Sequence, residues 1–338
     1  MKTNYHLNKH RKRNNKVIRK VVSGNISAKN VNKPVFIAII VLVFAFFLFF
    51  VLNDRFLRID GIPTWEDLYQ GAGLSSPVSA VEGDVSVHFI DVGQGDCELI
   101  KTQNKAVLID CGEKEYYADV IDYIKTQKIE YIDYVIVTHP HSDHAGGMSF
   151  ILDEFDIGTV IMPKIQESVT PTTSTYIRLL KSIENKNITV EYAEAGKEYT
   201  LDDVKMTLLS PVQDYDDLNN YSVAVKLIHG ENSFLFTGDI EKEAENDIIE
   251  NGYNISADVL KVAHHGSSTS SQKKFINAVS PNYAVIEVGS PNSYNHPNAD
   301  TIQRLENKEI TIYRTDLYGN IVFVSDGKTF DILTEKEP

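Results

Sequence analysis

Cysteine is scarce in this chain. Its 338 residues contain two, Cys97 and Cys111, so at most one disulfide can form and no disulfide framework holds the fold. The two flank an expected hairpin, with Cys97–Lys101 and Ala106–Asp110 as strands around Thr102-Gln103-Asn104-Lys105. Their near-mirror positions suit either a cross-strand bridge in an exported protein or a pair of buried thiols. Positive charge is also in deficit, with a formal net charge of −14. That sign opposes broad electrostatic capture of nucleic acid, which relies on lysine and arginine to displace counterions. A local basic groove, or divalent cations held in a pocket, would reverse it locally. No short-period repeat or low-complexity tract is present.

Acidic residues are missing altogether from residues 1–33, which are rich in lysine and arginine (Lys9, Arg11, Lys12, Arg13, Lys16, Arg19, Lys20). Charged and polar side chains are missing from Val35 to Leu52. Eighteen apolar residues at ~1.5 Å rise reach roughly 27 Å, the depth of a bilayer's hydrocarbon core. A basic flank is retained in the cytoplasm and sends the C-terminal bulk across. No small-residue cleavage site follows, since the next residues are Asn53-Asp54-Arg55-Phe56, so the run reads as an uncleaved single-span anchor in membrane lipid. The expected organisation is a cytoplasmic arm (1–33), an anchor (34–53), a stalk (54–84) and a catalytic domain (85–338). That domain is extracytoplasmic and more acidic than the whole chain.

From Val85 onward, short runs rich in valine and isoleucine alternate with amphipathic stretches. Tyr134–Val137, Ser233–Phe236, Val259–Ala263 and Tyr283–Val288 are among the expected strands. Tyr116–Lys125, Met148–Glu154, Thr175–Glu184, Glu241–Glu250, Gln272–Val279 and Asn298–Asn307 are the expected helices. About 250 residues of such alternation fit one large two-sheet α/β domain.

The densest chemistry follows the strand Tyr134–Val137. Three histidines and an aspartate (His139, His141, Asp143, His144) fall within six positions. Residues i and i+2 of an extended segment face the same side, so His139 and His141 can grip one ion. After the turn, Asp143 and His144 can grip a second. Imidazole and carboxylate suit zinc and neighbouring divalent metals. Asp239, at the tip of the strand Ser233–Phe236, is placed to bridge the two ions. Downstream, Val259–Ala263 runs into His264 and His265, one a ligand of the second ion and the other facing substrate.

These motifs resemble the metallo-β-lactamase superfamily, whose αββα sandwich carries its metal ligands on strand ends along one edge. The segments Phe89-Ile90-Asp91-Val92-Gly93-Gln94-Gly95-Asp96 and Asn292-Ser293-Tyr294-Asn295-His296-Pro297 look most like the hydrolase domain of ComEC-type competence DNA-uptake proteins. The resemblance implies metal ligation by His139, His141, Asp143, His144, Asp239 and one of His264 or His265, with His265 preferred. It implies a supporting hydrogen-bond role for Asp110. Many relatives place a further histidine on the first metal. Here the interval holds only His229, past the expected place, and that place reads Leu218-Asn219-Asn220-Tyr221, which makes Asn220 a candidate. Zinc and manganese both fit two divalent sites.

The implied chemistry is attack on a phosphodiester by water activated between two ions. His296 is the candidate proton donor, His264 faces substrate, and Gln94 and Asp96 line the site in a glycine-flanked loop. DNA is the first candidate substrate, with a phosphodiesterase or nuclease activity. Choline-phosphate or wall-polymer phosphodiesters, or an ester or amide, form the alternative, since substrate choice lies in the loops. The segment Met162–Tyr199 is expected to shape the pocket. A metal-stabilised binding module without activity is a third reading, disfavoured by the intact ligand set.

Overall fold

The computed structural model describes residues 41, 42, 44–46, 49, 80, 81 and 83–337. The chain divides into two units, Met1–Ser75 and Ser76–Pro338. In the first, the described residues (Val41, Leu42, Phe44, Ala45, Phe46 and Phe49) are helical and exposed. Among the described residues no helix is long and apolar enough to cross a membrane. The expected anchor lies largely outside them, as do the cytoplasmic arm and most of the stalk.

The second unit contains two sheets. The chain first lays down β1 (Val85–Phe89), β2 (Glu98–Lys101), β3 (Ala106–Ile109), β4 (Tyr131–Ile136), β5 (Asp156–Met162) and β6 (Thr189–Tyr192). It then builds a second sheet from β7 (Glu198–Leu201), β8 (Val204–Leu208), β9 (Val225–His229), β10 (Asn232–Phe236), β11 (Val259–Lys261), β12 (Tyr283–Ile286) and β13 (Thr311–Arg314). Finally it returns to the first sheet with β14 (Ile321–Ser325) and β15 (Phe330–Thr334). The orders are β15-β14-β1-β2-β3-β4-β5-β6 and β13-β12-β11-β10-β9-β8-β7.

Strand alternation explains why the sheets stack. In β3, Val107 and Ile109 join the core shared with Phe234, Phe236 and Val259 of the second sheet, whereas Ala106 and Leu108 pack outward. The outward face of the first sheet is covered by the helices Tyr117–Thr126, Met148–Glu154 and Ser174–Lys186. The second sheet is covered by Lys242–Glu250, Lys273–Val279 and Ala299–Glu306. A strand buried on both faces has no polar alternate positions, hence the unbroken apolar runs. The result is an αββα sandwich.

Pairing direction positions the site. β3 runs parallel to β4, and β10, β11 and β12 run parallel to one another. Parallel neighbours end along one edge of their sheet, where the loops carrying Asp110, His139, Asp239, His264 and Glu287 emerge. Cys97 and Cys111 are buried free thiols, so the disulfide alternative does not hold. Burial pushes both thiols well above the ordinary range and leaves them unreactive.

Candidate metal centre

Each expected ligand arrives from a loop whose geometry the local sequence dictates. His139 and His141 lie on the extended exit from β4, and His141 precedes the short helix Ser142–Ala145 that carries Asp143 and His144. Asp239 follows Thr237-Gly238 at the end of β10. Gly238 has φ +49°, and a Cβ there would sit 2.9 Å from Ser222 Cβ and 3.0 Å from Thr138 Cβ. Only glycine allows the turn that tips Asp239 inward. His264 and His265 are both left-handed (φ 53° and 52°), which swings two consecutive imidazoles off the end of β11.

The side chains converge. His139 Nε2 is 2.9 Å from His141 Nδ1 and 4.0 Å from Asp239 Oδ2. His144 Nε2 is 3.3 Å from Asp239 Oδ2. His265 Nε2 lies 3.4 Å from Asp143 Oδ2 and 3.8 Å from Asp239 Oδ2. Asp239 thus stands between a His139–His141 pair and an Asp143–His144–His265 trio. The far sides of the imidazoles are fixed. Asp110 Oδ2 accepts from His144 Nδ1 at 2.8 Å, and Asp110 is itself held by the amide (2.8 Å) and hydroxyl (2.5 Å) of Thr138. His265 Nδ1 donates to the Glu287 carbonyl at 2.9 Å. Such contacts select the tautomer that presents Nε2.

The donors fit a divalent cation. His144 Nε2, His265 Nε2 and Asp239 Oδ1 are buried and have no hydrogen-bond partner among the described residues. Orphaned buried donors and acceptors are costly unless something occupies the space between them. The electrostatics agree. Burial disfavours charge on His144, yet Asp239, Asp96 and Asp143 overcome it and raise its pKa well above the usual value. His265 is likewise pushed up to about 10, by Asp239 and Asp96 against burial. The pocket demands positive charge. His139 is the exception: burial and the neighbouring His144 hold it well below its ordinary value, as the neutral imidazole that ligates metals.

Beneath this layer lies an ion pair that the sequence motifs do not reveal. Lys261 is fully buried at the end of β11, and its Nζ pairs with Asp96 and donates to the Gly238 carbonyl at 3.1 Å. Asp96 Oδ1 stands 3.2 Å from His265 Nδ1. Ligand atoms of Asp96, His144, Asp239 and His265 all lie within 4.8 Å of one another. Lys261 engages Asp96 Oδ2, and the carboxylate that reaches the Nε2 side of His265 is Asp143, at 3.4 Å. Asp96 is a buried positioning residue and does not line the cleft as expected.

The cleft above the ligands has a volume of about 300 Å³, and its walls include Gln94, Asn219, His264 and His296. His264 sits at its rim, with Nδ1 3.3 Å from Glu241 Oε1 and Nε2 3.7 Å from Asp239 Oδ2. His265 is the buried member of the pair. Gln94 Oε1 accepts from the Gly289 amide at 3.3 Å.

Three further expectations need correction. Asn220 does not reach the cleft: its Oδ1 accepts from the amides of Glu241 (3.0 Å) and Ala244 (3.4 Å), tying down the first turn of the helix Lys242–Glu250. Asn219, its neighbour, faces the cleft instead. His296 is on the wall, but burial together with His265 and His264 pushes its pKa down to about 4, so at neutral pH it holds no extra proton to deliver. His229 is remote, hydrogen-bonded to Ser325 (2.8 Å) and Asp203 (3.1 Å). The segment Met162–Tyr199 forms none of the cleft wall.

A profile described as the metallo-beta-lactamase superfamily matches residues 90–289. The chain belongs to that superfamily. This superfamily member is 30% identical over 268 residues to ComE operon protein 3 of Bacillus subtilis (strain 168), covering 73% of this chain and 34% of that one. It is 28% identical over 268 residues to competence protein ComA of Neisseria gonorrhoeae (78% and 36%). It is 29% identical over 242 residues to recombination protein 2 of Haemophilus influenzae (strain ATCC 51907 / DSM 11121 / KW20 / Rd) (70% and 28%). The chain therefore spans about a third of the length of these relatives. It carries a metal-dependent hydrolase domain like that of ComEC-type proteins, as its motifs implied.

Proposed function

We propose that the protein is a membrane-anchored, extracytoplasmic phosphodiesterase or nuclease acting on DNA. The observation that carries the hydrolytic reading is the convergence of unpartnered, buried imidazole and carboxylate atoms around Asp239. His139 and His141 with Asp239 would hold one divalent ion, and Asp143, His144 and His265 with Asp239 a second, zinc and manganese being the candidates. When bound, such ions neutralise charge on phosphoryl oxygens and activate water for in-line attack. The protein's own groups do the rest. Asp110, Thr138 and the Glu287 carbonyl keep His144 and His265 in one tautomer and one orientation. His264, braced by Glu241, stands over Asp239 as the group to pass a proton to the leaving oxygen. His296 is neutral and positions that oxygen through a hydrogen bond. Gln94 offers its amide to the phosphate.

DNA is favoured as substrate by the likeness to a competence protein and a recombination protein. The anchor is favoured by the apolar run 35–52 and by the absence of acidic residues upstream of it. Replacing His139 and Asp143 by alanine together should reduce hydrolysis of single-stranded DNA and of bis(p-nitrophenyl) phosphate to background, with the far-ultraviolet circular dichroism unchanged. Undiminished turnover would sink the reading. Turnover of the small diester without DNA cleavage would move the assignment to another phosphodiester.

A further inference from the structure

Among the described residues lining the cleft and the groove beside it, a single lysine offers a polyanion a hold beyond the metal centre. The net charge is −14. The groove that continues from the cleft past Gln94 is lined by the carboxylates of Asp91, Glu113, Glu115 and Asp316 against one lysine, Lys336. A strand of nucleic acid must therefore be gripped by neutral contacts. One such contact is built into the wall of the cleft. Tyr294 is 63% exposed, yet its ring is not loose. It stacks on the His296 ring, with centroids 5.7 Å apart and planes 25° from parallel, and the His296 ring is 5.5 Å from that of His264.

The loop beneath is pinned by one side chain. Asn292 Oδ1 accepts from the amides of Tyr294 (3.1 Å) and His296 (3.0 Å), while its Nδ2 donates to the carbonyls of Gly289 (2.8 Å) and His296 (2.7 Å). The Tyr294 ring thus stands at the mouth of the cleft with His296 against one side and most of its surface open to solvent. Its free face is a platform of the kind on which unpaired bases stack.

We propose that Tyr294 is a substrate-positioning residue that stacks a nucleobase next to the scissile phosphodiester, making the preferred substrate single-stranded and base-bearing. This rests on the DNA reading above. The test uses the full-length, metal-loaded protein and two oligonucleotides of equal length, one of natural deoxynucleotides and one abasic throughout. Tyr294→Ala should raise KM for the natural strand about 5- to 150-fold, the range of base–aromatic stacking, and leave KM for the abasic strand unchanged. Tyr294→Phe and Tyr294→Trp should behave as wild type. A strand containing 2-aminopurine should lose fluorescence on binding the wild type and not on binding Tyr294→Ala. Equal losses on both strands, or no change on the natural one, would overturn the proposal and leave the DNA reading standing. If the wild type cleaves neither strand, the DNA reading fails and the proposal with it.

Discussion

Replacing Lys261 by methionine isolates the buried charge under the metal layer. Methionine matches the aliphatic length of lysine and removes only the ammonium. In the native protein that ammonium is fully buried between Asp96 and the Gly238 carbonyl, near Glu98 and Glu287. Without it, Asp96 loses its permanent counter-charge and keeps only the imidazoles of His265 and His144, at 3.2 and 3.6 Å, a break in a buried pair that costs about 3–5 kcal/mol. Against a total stability on the order of 5–15 kcal/mol, that is a large fraction. For a domain of this size each kcal/mol moves the melting temperature by about 2–4 °C, so the variant should melt roughly 6–20 °C lower. Thermal unfolding by circular dichroism, in chelator to exclude metal linkage, measures the shift. Adding Asp96→Asn should recover much of the loss, because the carboxylate charge goes with it. A shift below about 2 °C, or a double variant no more stable than the single one, would refute the buried-pair argument.

Asp110→Asn should weaken metal binding about 10- to 100-fold, measured by competition with a chelating indicator, because the amide no longer enforces the His144 tautomer. Unaltered affinity would remove Asp110 from its role. Metal binding near pH 7 should release protons, since His144 and His265 are held protonated by the surrounding carboxylates without the ions and ligate as neutral imidazoles. Titration calorimetry in buffers of different ionisation enthalpy counts them, and a count of zero contradicts the charge assignment. Burial and Asp96 raise the Glu287 pKa from 4.5 to about 8. A carboxyl with a raised folded pKa stabilises fully below its unfolded value and loses that contribution as pH rises through the folded one. Denaturant midpoints should therefore fall from pH 5 to 8 in the wild type and fall less steeply in Glu287→Gln.

The candidate ligands were legible because each sits in a short segment whose residue types serve little else. Asp143 and His144 follow two histidines at alternate positions, and Asp239 and His265 follow apolar strands that announce their own ends. The helices were legible to within a residue or two for the same reason: one face of each is apolar. The edge strands were not. β6, β7 and β15 are half-exposed and carry polar residues such as Glu191, Thr200 and Asp331, so neither an apolar run nor a turn signal marks them. Lys261 was hidden differently. A single lysine in Val259–Ala263 reads as a solvent-facing position of a strand, and only the partner 165 residues away makes it a buried one. Asn219 and Asn220 show the limit of position alone, since a one-residue rotation decides which asparagine meets the cleft and which caps a helix.

The buried charges explain why the site has the residues it does. Asp96, Asp110, Asp143 and Asp239 place four carboxylates in or beneath one rim, and among the described residues only Lys261 pairs with them as a permanent counter-charge. Two neighbouring glutamates are pushed up as well, Glu98 by burial and Glu287, and Glu287 by burial and Asp96, which removes them from the balance by keeping them protonated. What remains must be met by mobile charge: protons on His144 and His265 when no ion is present, divalent ions when they are. The two states use the same nitrogen atoms, so they exclude each other. The rim is thereby preorganised for cations without being torn apart in their absence. The role of Lys261 follows from this. It is the fixed charge that stays when the mobile charges exchange, and through the Gly238 carbonyl it holds the turn carrying Asp239 in place while they do.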